Sequence, residues 1–326
     1  QAKMTLTVVM YHYVRELEKT PYPNIRGLHL RDFKGQLDYM KKYYRFVTVE
    51  DITQAFVGKK TLPKNSAFLT FDDGYIDHYE NVFPLLRKSK IQGCFFPVPS
   101  TIDQCKMLIA NKIHFILASV EDMVKLVDEI LSMISSSKKK FGLFDPKEYY
   151  ERYARPSRYD PGEVMFIKRI LQKGLPSELR EKILNELFDK FVTDNEKSFA
   201  KELYLNVEQM KEMKEDGMAF GSHGYYHDWL NTLSHNAQEK EMKQSLRFLK
   251  KIDSHKDWVM CYPYGGYDDS IIQIIKDQGC RLGFTIDVRL ADICKDNPLL
   301  IPRLNTNDLP KKADSTPNEW TEKVIN

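Results

Sequence analysis

The sequence predicts an α/β protein of parallel βα units, interrupted by a helical insertion. Strand-like apolar runs alternate with runs of helical period in residues 1–100, and the same alternation returns in 205–326. Such alternation is typical of a parallel sheet covered by helices. Residues 101–204 are mostly of helical period. We therefore divide the chain into a first α/β part (1–100), a helical insertion or subdomain (101–204) and a second α/β part (205–326).

The elements of the first part follow from their local patterns. The run "LTVVMYHYV" is rich in β-branched and aromatic residues and predicts the first strand. Phe33, Leu37 and Met40 then recur at helical spacing. A short strand leads into a second helix that has Thr48 or Glu50 near its cap. The segments "NSAFLTFDDGY", "YENVFPLLRKSK" and "IQGCFFPVPS" predict a strand, a helix and a strand.

The insertion and the second part are predicted in the same way. The insertion carries two amphipathic helices, "VEDMVKLVDEILSMI" and "PSELREKILNELFDKFV", around a polar, irregular stretch, and their apolar stripes favour core packing over a cofactor site. The second part opens with a helix that ends at Gly217, a typical glycine cap. Strands "MAFGSH", "WVMCYPYGG" and "RLGFTID" alternate with helices, and "LLIPRLNT" is a last apolar segment. We expect the tail after Pro310 to be loosely structured.

Composition limits the classes of partner. The 326 residues are 42% hydrophobic and 12% aromatic, enough for a sizeable core. With 49 basic and 46 acidic residues the net charge is +3, which lacks the basic footprint of a protein that binds nucleic acid or an anionic membrane. No apolar run approaches the roughly 20 residues of a membrane span. We therefore expect neither nucleic acid nor a membrane span.

Two acids, Asp72 and Asp73, stand side by side at the end of an apolar strand. Like charges in close contact repel, and burial penalises both. The pair therefore either forms an ordinary exposed turn or is held by a positive partner.

Two histidines, His223 and His227 in "GSHGYYH", are four residues apart. On a helical turn this spacing brings both imidazoles to one side, as in half of a zinc site, although two unrelated surface histidines would give the same pattern. Strand ends of a parallel α/β fold meet at one edge, so we combine the histidines with the acid pair. One carboxylate and two imidazoles suit a catalytic divalent metal, which would offset the repulsion. The other carboxylate could then act as a base toward water.

A third strand end, "CYPYGGYDD", carries Pro263 and Gly265–Gly266. These residues either fix a loop that lets a ligand approach the backbone or form a plain turn.

The segments "TFDDGY", "SHGYYH" and "YPYGGYD" occur in this order, each at a strand end. Together they resemble the first three motifs of the polysaccharide deacetylase family (NodB homology, carbohydrate esterase family 4). "VVMYHYV", "LGFTID" and "IPRLN" are similar to the branch that contains poly-N-acetylglucosamine deacetylases. The resemblance covers roughly residues 5–100 and 205–310 and leaves out the insertion. It implies a distorted, seven-stranded (β/α) barrel in two parts with a metal at its C-terminal face.

The same resemblance assigns roles to residues of this chain. It makes Asp72 the general base, and Asp73, His223 and His227 the ligands of a divalent metal, with Zn²⁺ as the expected ion. The metal would polarise the acetyl carbonyl. The backbone N–H of Tyr264 would help to hold the oxyanion.

Two departures from the family pattern concern groups around the base. Many members have an arginine in the third motif that orients the base; this chain has Cys261 in that neighbourhood, and Arg303 in "IPRLN" is the candidate replacement. The usual catalytic acid is a late histidine, but none follows His255. The branch resemblance makes His12 in "MYHYV" the candidate acid, with a packed histidine as the alternative. We interpret His78 as a surface residue.

Further candidates lie near the motifs. Asp287 in "FTIDV" is either another acid of the site or a helix cap. Several aromatic side chains could stack on a sugar ring or pack in the core or rim: Tyr75, Tyr225, Tyr226, Trp229 and Tyr267. Of these, Tyr75, Tyr226 and Tyr267 join Pro263 as candidate substrate-binding residues.

The sequence thus predicts a metal-dependent hydrolase that removes N-acetyl groups from an amino sugar or glycan. An O-acetyl carbohydrate esterase would use the same site, and a non-catalytic glycan-binding protein on a degenerate barrel is the alternative from another class. The insertion could form a lid, select the substrate or build a homo-oligomer interface.

Cellular location is predicted from two features. The start of the sequence shows no secretory pattern, and five cysteines without close pairing favour reduced thiols. Both predict a cytoplasmic protein, unless an export signal lies outside this sequence. A cytoplasmic location would favour a nucleotide-linked, lipid-linked or small soluble amino sugar over a finished wall polymer.

Overall fold

The structure, a computed structural model, describes residues 4–254 and 257–326 and divides into two compact units. The larger, which we call the barrel unit, contains the chain up to Glu16, Gly27–Gln104 and Lys201–Asn326. The smaller, the helical unit, contains Leu17–Arg26 and Cys105–Ala200. The sequence patterns did not single out the short segment Leu17–Arg26 as part of the helical unit.

All eleven strands of the described residues belong to the barrel unit. They are β1 Thr5–Tyr11, β2 Val14–Arg15, β3 Leu28–His29, β4 Arg45–Phe46, β5 Ser66–Asp73, β6 Gly93–Pro97, β7 Ala219–Phe220, β8 Trp258–Cys261, β9 Cys280–Phe284, β10 Ala291–Asp292 and β11 Leu304–Asn305.

Seven of the strands described above close into a distorted barrel. β1 pairs in parallel with β5 and β11, β5 with β6, β6 with β7, and β8 with β9. Parallel bridges Ser222–Met260 and Phe284–Ile301 join β7 to β8, and β9 to the segment before β11. The distortion appears as two-residue strands and as a register shift near the start of β8. The predicted seven-stranded (β/α) barrel is confirmed.

The helices of the described residues are distributed between the two units. They are α1 Leu30–Tyr43, α2 Val49–Phe56, α3 Phe83–Ser89, α4 Pro99–Asp103, α5 Ile109–Ser119, α6 Met123–Phe141, α7 Pro146–Tyr153, α8 Gly162–Arg169, α9 Ser177–Phe191, α10 Glu196–Leu203, α11 Val207–Glu215, α12 His235–Leu249, α13 Asp269–Asp277 and α14 Glu319–Ile325. Among them, no helix has the length and apolar character needed to cross a membrane.

Side chains alternate along the barrel strands between the interior and the helix layer. On β5, Phe68 belongs to a buried cluster that also contains side chains of β1, β6, β7, β8 and β9, whereas Leu69 and Phe71 belong to the cluster under the helices. The inward-facing row of β5 continues through Thr70 and ends at Asp72. The strand period therefore brings one carboxylate of the acid pair to the mouth of the barrel.

The helical unit buries the apolar stripes that the sequence shows. Ile130 and Ile134 of α6 and Ile183 and Leu187 of α9 are at most 1% exposed. These stripes are core, as predicted. The stretch between the two helices is more ordered than its composition suggested, because α7 begins at Pro146, a residue favoured in the first helical turn.

The prediction of a loosely structured tail is wrong, because α14 packs on the barrel unit. Its residue Val324 is buried, and the hydroxyl of Thr321 accepts a hydrogen bond from Tyr39 at 2.7 Å and lies 2.9 Å from the hydroxyl of Tyr44. Polar flanking residues hid this short helix in the sequence.

We predict that Thr321→Val lowers the free energy of unfolding by about 1–3 kcal/mol, because it leaves two buried tyrosine hydroxyls without this partner. Urea denaturation measures the change. The exposed Thr61→Val is the matched control and should shift stability by less than about 0.5 kcal/mol. Equal effects of the two substitutions would show that these hydrogen bonds contribute nothing to stability.

Candidate active site

The adjacent carboxylates at the end of β5 have different surroundings. Asp72 is 2% exposed and follows the inward row, whereas Asp73 adopts a left-handed φ of 73°, which turns its carboxylate away from that row. Gly74 follows with φ 71°, and a Cβ there would lie 2.8 Å from the Cα of Pro97 on β6. Glycine is therefore required both by the backbone and by the neighbouring strand.

Asp73 faces two buried imidazoles. Its Oδ1 is 3.3 Å from Nε2 of His223 and 3.3 Å from Nε2 of His227. The hydroxyl of Tyr75 donates to the other oxygen, Oδ2, at 2.8 Å. Within the described residues Oδ1 has no hydrogen-bond partner. Since a buried polar atom without a partner is costly, this oxygen is a natural ligand for a cation.

The hydrogen bond of His223 determines which ring nitrogen faces the acid. Its Nδ1 lies 2.7 Å from the carbonyl oxygen of Cys261, which can only accept. Nδ1 therefore carries a proton, and Nε2 is the nitrogen that faces Asp73. Burial alone would lower the pKa of His223, but the neighbouring Cys261 and Asp73 outweigh it and raise that pKa, so a cation that binds here would displace a proton from Nε2. Burial lowers the pKa of His227, which favours the neutral imidazole that a metal ion requires.

The two histidines converge on a loop, so the helical-turn explanation of their spacing is wrong. Gly224 and His227 both have left-handed backbones, with φ 70° and 63°. The N–H groups of Tyr225 and Tyr226 donate to the buried carboxylate of Glu241 at 2.8 and 3.0 Å. This anchored loop brings the two rings to a centroid separation of 4.7 Å.

Asp73, His223 and His227 fit a divalent cation. They offer one carboxylate oxygen and two ring nitrogens, all within 4.8 Å of one another. Both the donor types and the unpartnered oxygen match a catalytic site with open positions.

A second group of described residues, Asp72, His223 and Cys261, also has its donor atoms within 4.8 Å. Here, however, Arg303 already occupies both oxygens of Asp72. Burial also raises the pKa of the Cys261 thiol, which disfavours the thiolate that would bind a metal. The group around Asp73 is therefore the better cation site.

Arg303 binds Asp72 through two parallel hydrogen bonds. Nη1 donates to Oδ1 at 2.8 Å and Nη2 to Oδ2 at 2.9 Å. The guanidinium is held in turn by the carbonyl of Thr285, 2.8 Å from Nε, and by Oγ1 of Thr70, 3.1 Å from Nη1. Burial alone would raise the pKa of Asp72, but the charge of Arg303 outweighs it and lowers that pKa to about 2.

His12 lies at the mouth of the barrel beside the same carboxylate. Its Nε2 is 3.7 Å from Oδ2 of Asp72, and its side chain is 43% exposed. The alternative of a packed histidine therefore does not describe it. The thiol of Cys261 reaches the same oxygen at 3.6 Å.

The interpretation of His78 as a surface residue is wrong. The side chain is fully buried, and its Nε2 lies 2.8 Å from the backbone carbonyl of His12. The sequence hid this contact because the two residues are 66 positions apart.

The third motif forms a tight turn after β8. Pro263 is buried, and Tyr264 has a left-handed φ of 56°. The ring of Tyr264 lies 4.5 Å from that of His227 and stacks on Trp229, also at 4.5 Å, with an interplanar angle of 9°. The turn therefore adjoins the histidine loop.

The other sequence candidates differ in exposure. Tyr75 is fully buried and binds Asp73 through its hydroxyl, so its ring offers no surface to a sugar, and its candidacy as a substrate-binding residue is corrected. Tyr226 and Tyr267 are 43% and 37% exposed. The side chain of Asp287 is exposed, and its backbone carbonyl accepts the N–H of Arg303 at 2.9 Å.

Sequence reasoning missed three residues that support the site. Glu241 orders the histidine loop, while Thr70 and Thr285 hold the arginine. Glu241 lies within a helix full of charged residues, and its burial appears only in the fold. Thr70 could have been found, because it stands two residues before Asp72 on the same face of β5.

The chain matches a sequence model of the family described as polysaccharide deacetylase over residues 59–133 and 189–283. YxkH of Bacillus subtilis, whose name places it in the same family, is 30% identical over 91 residues, 28% of this chain and 33% of its own length. The poly-beta-1,6-N-acetyl-D-glucosamine N-deacetylase of Escherichia coli K12 is 40% identical over 60 residues, 18% of this chain and 9% of its own. The matches thus span a third or less of these relatives.

Solved structures are similar over the whole chain. The deacetylase PplD of Streptococcus pyogenes aligns with a TM-score of 0.58 and 19% identity, covering 99% of this chain and 98% of its own. IcaB of Ammonifex degensii aligns with a TM-score of 0.55 and 18% identity, covering 99% and 97%. At these identities the likeness concerns the fold.

We predict that Arg303→Met lowers the free energy of unfolding by about 3–5 kcal/mol at pH 7, because it leaves Asp72 as an unpaired buried charge. In this variant burial raises the pKa of Asp72, so protonation recovers stability as the pH falls. The native pair behaves in the opposite way and loses stability between the ordinary carboxyl pKa and about 2.

Denaturation of the Arg303→Met variant at pH 7 and pH 5 tests this, with the double variant Arg303→Met/Asp72→Asn as control. The double variant should recover most of the loss at pH 7. A deficit that is independent of pH and persists in the double variant would contradict the ion-pair explanation.

Proposed function

The chain belongs to the polysaccharide deacetylase family, and on this premise we propose that it is a hydrolase that removes N-acetyl groups from an amino sugar or glycan with a divalent cation, Zn²⁺ being the expected ion. One observation carries the proposal. Oδ1 of buried Asp73, which has no hydrogen-bond partner in the described part of the chain, faces two imidazoles, next to an ionised Asp72 that Arg303 holds in place.

Asp73, His223 and His227 would hold the cation. When bound, the cation supplies Lewis acidity, which polarises the acetyl carbonyl and lowers the pKa of water. Tyr75 would keep the carboxylate of Asp73 aimed at the site through its 2.8 Å hydrogen bond.

Asp72 would take the proton of the attacking water. With a pKa of about 2 it is fully ionised at neutral pH and is a weak base, which suits a water that is already acidified. The two hydrogen bonds from Arg303 fix the plane of this carboxylate, so its free lone pairs keep one direction. The backbone N–H of Tyr264 would support the oxyanion of the tetrahedral intermediate.

His12 would give a proton to the leaving amine. An amine departs readily only when it is protonated, so the chemistry requires a donor beside the base. The 3.7 Å between Nε2 of His12 and Oδ2 of Asp72 supports this assignment. The presence of His12 as a proton donor favours an N-acetyl over an O-acetyl substrate, because an alkoxide needs less help from a proton donor to leave than an amine does.

A screen for acetate release with zinc present tests the proposal. The panel contains an N-acetylated monosaccharide, its nucleotide-linked form, N-acetylated oligosaccharides and O-acetylated counterparts. Release from the N-acetylated members is expected. Release from the O-acetylated members alone would make the protein an esterase, and glycan binding without any release would make it a binding protein.

We predict that Asp72→Asn lowers turnover by about 10²- to 10⁴-fold and leaves the zinc content unchanged, because it removes the base and not a ligand. His227→Ala should lose the zinc as well. Elemental analysis of purified, folded variants measures the metal independently of activity. Near-normal turnover in Asp72→Asn would contradict this division of roles.

His12→Ala should lower turnover by about 10²- to 10⁴-fold with zinc retained, since it removes the proton donor. The loss should shrink on substrates with a more acidic leaving group, such as an activated aryl acetate. A uniform loss over amide and activated ester, or no loss at all, would remove His12 from this role.

A further inference from the structure

The short loop that carries His12 is held by residues directly downstream of the acid pair. Asp77, His78 and Asn81, which we call the clamp, lie in the turn after the "TFDDGY" segment. His78 contacts the backbone of the loop between β1 and β2. Asp77 and Asn81 contact the backbone of the first residue of β2, Val14. None of these contacts has a place in the mechanism above.

Two members of the clamp bind the residues that follow His12. Asp77 is 3% exposed and accepts the N–H of Val14 at 2.9 Å. The same carboxylate accepts Nε and Nη2 of Arg15 at 2.8 and 2.6 Å. Asn81 donates to the carbonyl of Val14 at 2.8 Å. Charged and backbone hydrogen bonds thus fix the loop on its C-terminal side.

His78 binds the loop at His12 itself. Since a carbonyl only accepts, Nε2 of His78 donates to the His12 carbonyl over 2.8 Å. The ring is fully buried and lies 5.4 Å from Phe71, 5.7 Å from Tyr75 and 5.7 Å from Phe95 between ring centroids. Burial lowers the pKa of His78, so the ring donates as a neutral imidazole.

The backbone of the clamp is itself unusual. Residues His78–Val82 form a π-helical turn, in which the N–H of Phe83 donates to the carbonyl of His78. Such turns are rare and are often found at functional sites. Asp77 directly precedes this turn and Asn81 lies within it, and both side chains reach the backbone of Val14.

We propose that His78 is a positioning residue that sets where His12 stands against Asp72, by fixing the backbone carbonyl of His12. The inference rests on the proposed function, in which His12 is the proton donor. On this inference a single continuous segment, residues 72–81, contains the base Asp72, the cation ligand Asp73 and the residue that positions the proton donor, His78.

The test compares His78→Phe, which keeps a flat ring but removes the donor, with His78→Gln, which restores a donor N–H. Tyr44→Phe is the control, because it deletes a buried hydroxyl elsewhere in the barrel unit. His78→Phe should lower kcat by about 10- to 100-fold with little change in KM and full zinc content. His78→Gln should recover most of kcat, and Tyr44→Phe should leave kcat unchanged.

The decisive arm repeats His78→Phe in a His12→Ala background. If His78 acts through His12, the second substitution changes kcat by less than about twofold there. A full additional loss in that background, or a kcat in His78→Phe equal to that of the native protein, would overturn the inference.

A crystal structure of His78→Phe separates this inference from the proposed function. Displacement of the His12 imidazole from its 3.7 Å position beside Asp72 is expected whatever the substrate proves to be. An unmoved imidazole would overturn the positioning role. A native protein that releases no acetate from any sugar would instead overturn the proposed function.

Discussion

Two adjacent buried carboxylates need two separate sources of positive charge, and the site is organised by that requirement. The partner of Asp72 is Arg303, which directly precedes β11. Its side chain lies in the barrel mouth and is only 1% exposed. Asp73 is turned away by its left-handed backbone and faces the histidine loop, where the proposed cation would supply the positive charge. If both acids followed the regular strand period, they would point to opposite faces of the sheet. The strained residue is what brings both of them to one site.

Closure of the barrel makes this arrangement possible. Arg303 can reach β5 because β11 pairs with β1, which in turn pairs with β5. All the central strands are parallel, so their carboxyl ends deliver acid, histidine and turn residues to a single face. Arg303 thereby donates the strong hydrogen bonds to Asp72 that Cys261 cannot provide, since a thiol is only a weak donor.

The sequence predicted the architecture, and it singled out the acids and histidines that the structure brings together, because both rest on local patterns. Strand and helix periods give the βα order, and short motifs mark the strand ends. What could not be predicted depends on contacts between distant segments. His78 looked like a surface residue until the fold placed it under the loop of His12. Tyr75 was a candidate for stacking on a sugar ring, but its hydroxyl donates a hydrogen bond to Asp73. The helix α14 was missed because it is short and follows a polar stretch, although Asn318 caps its first turn.

X-ray absorption at the zinc edge distinguishes the two groups of donor atoms that could hold the cation, because only one of them contains sulfur. A cation held by Asp73, His223 and His227 should show only nitrogen and oxygen neighbours, at about 2.0–2.2 Å. A sulfur neighbour at about 2.3 Å would place the cation with Cys261 and Asp72 and contradict the account.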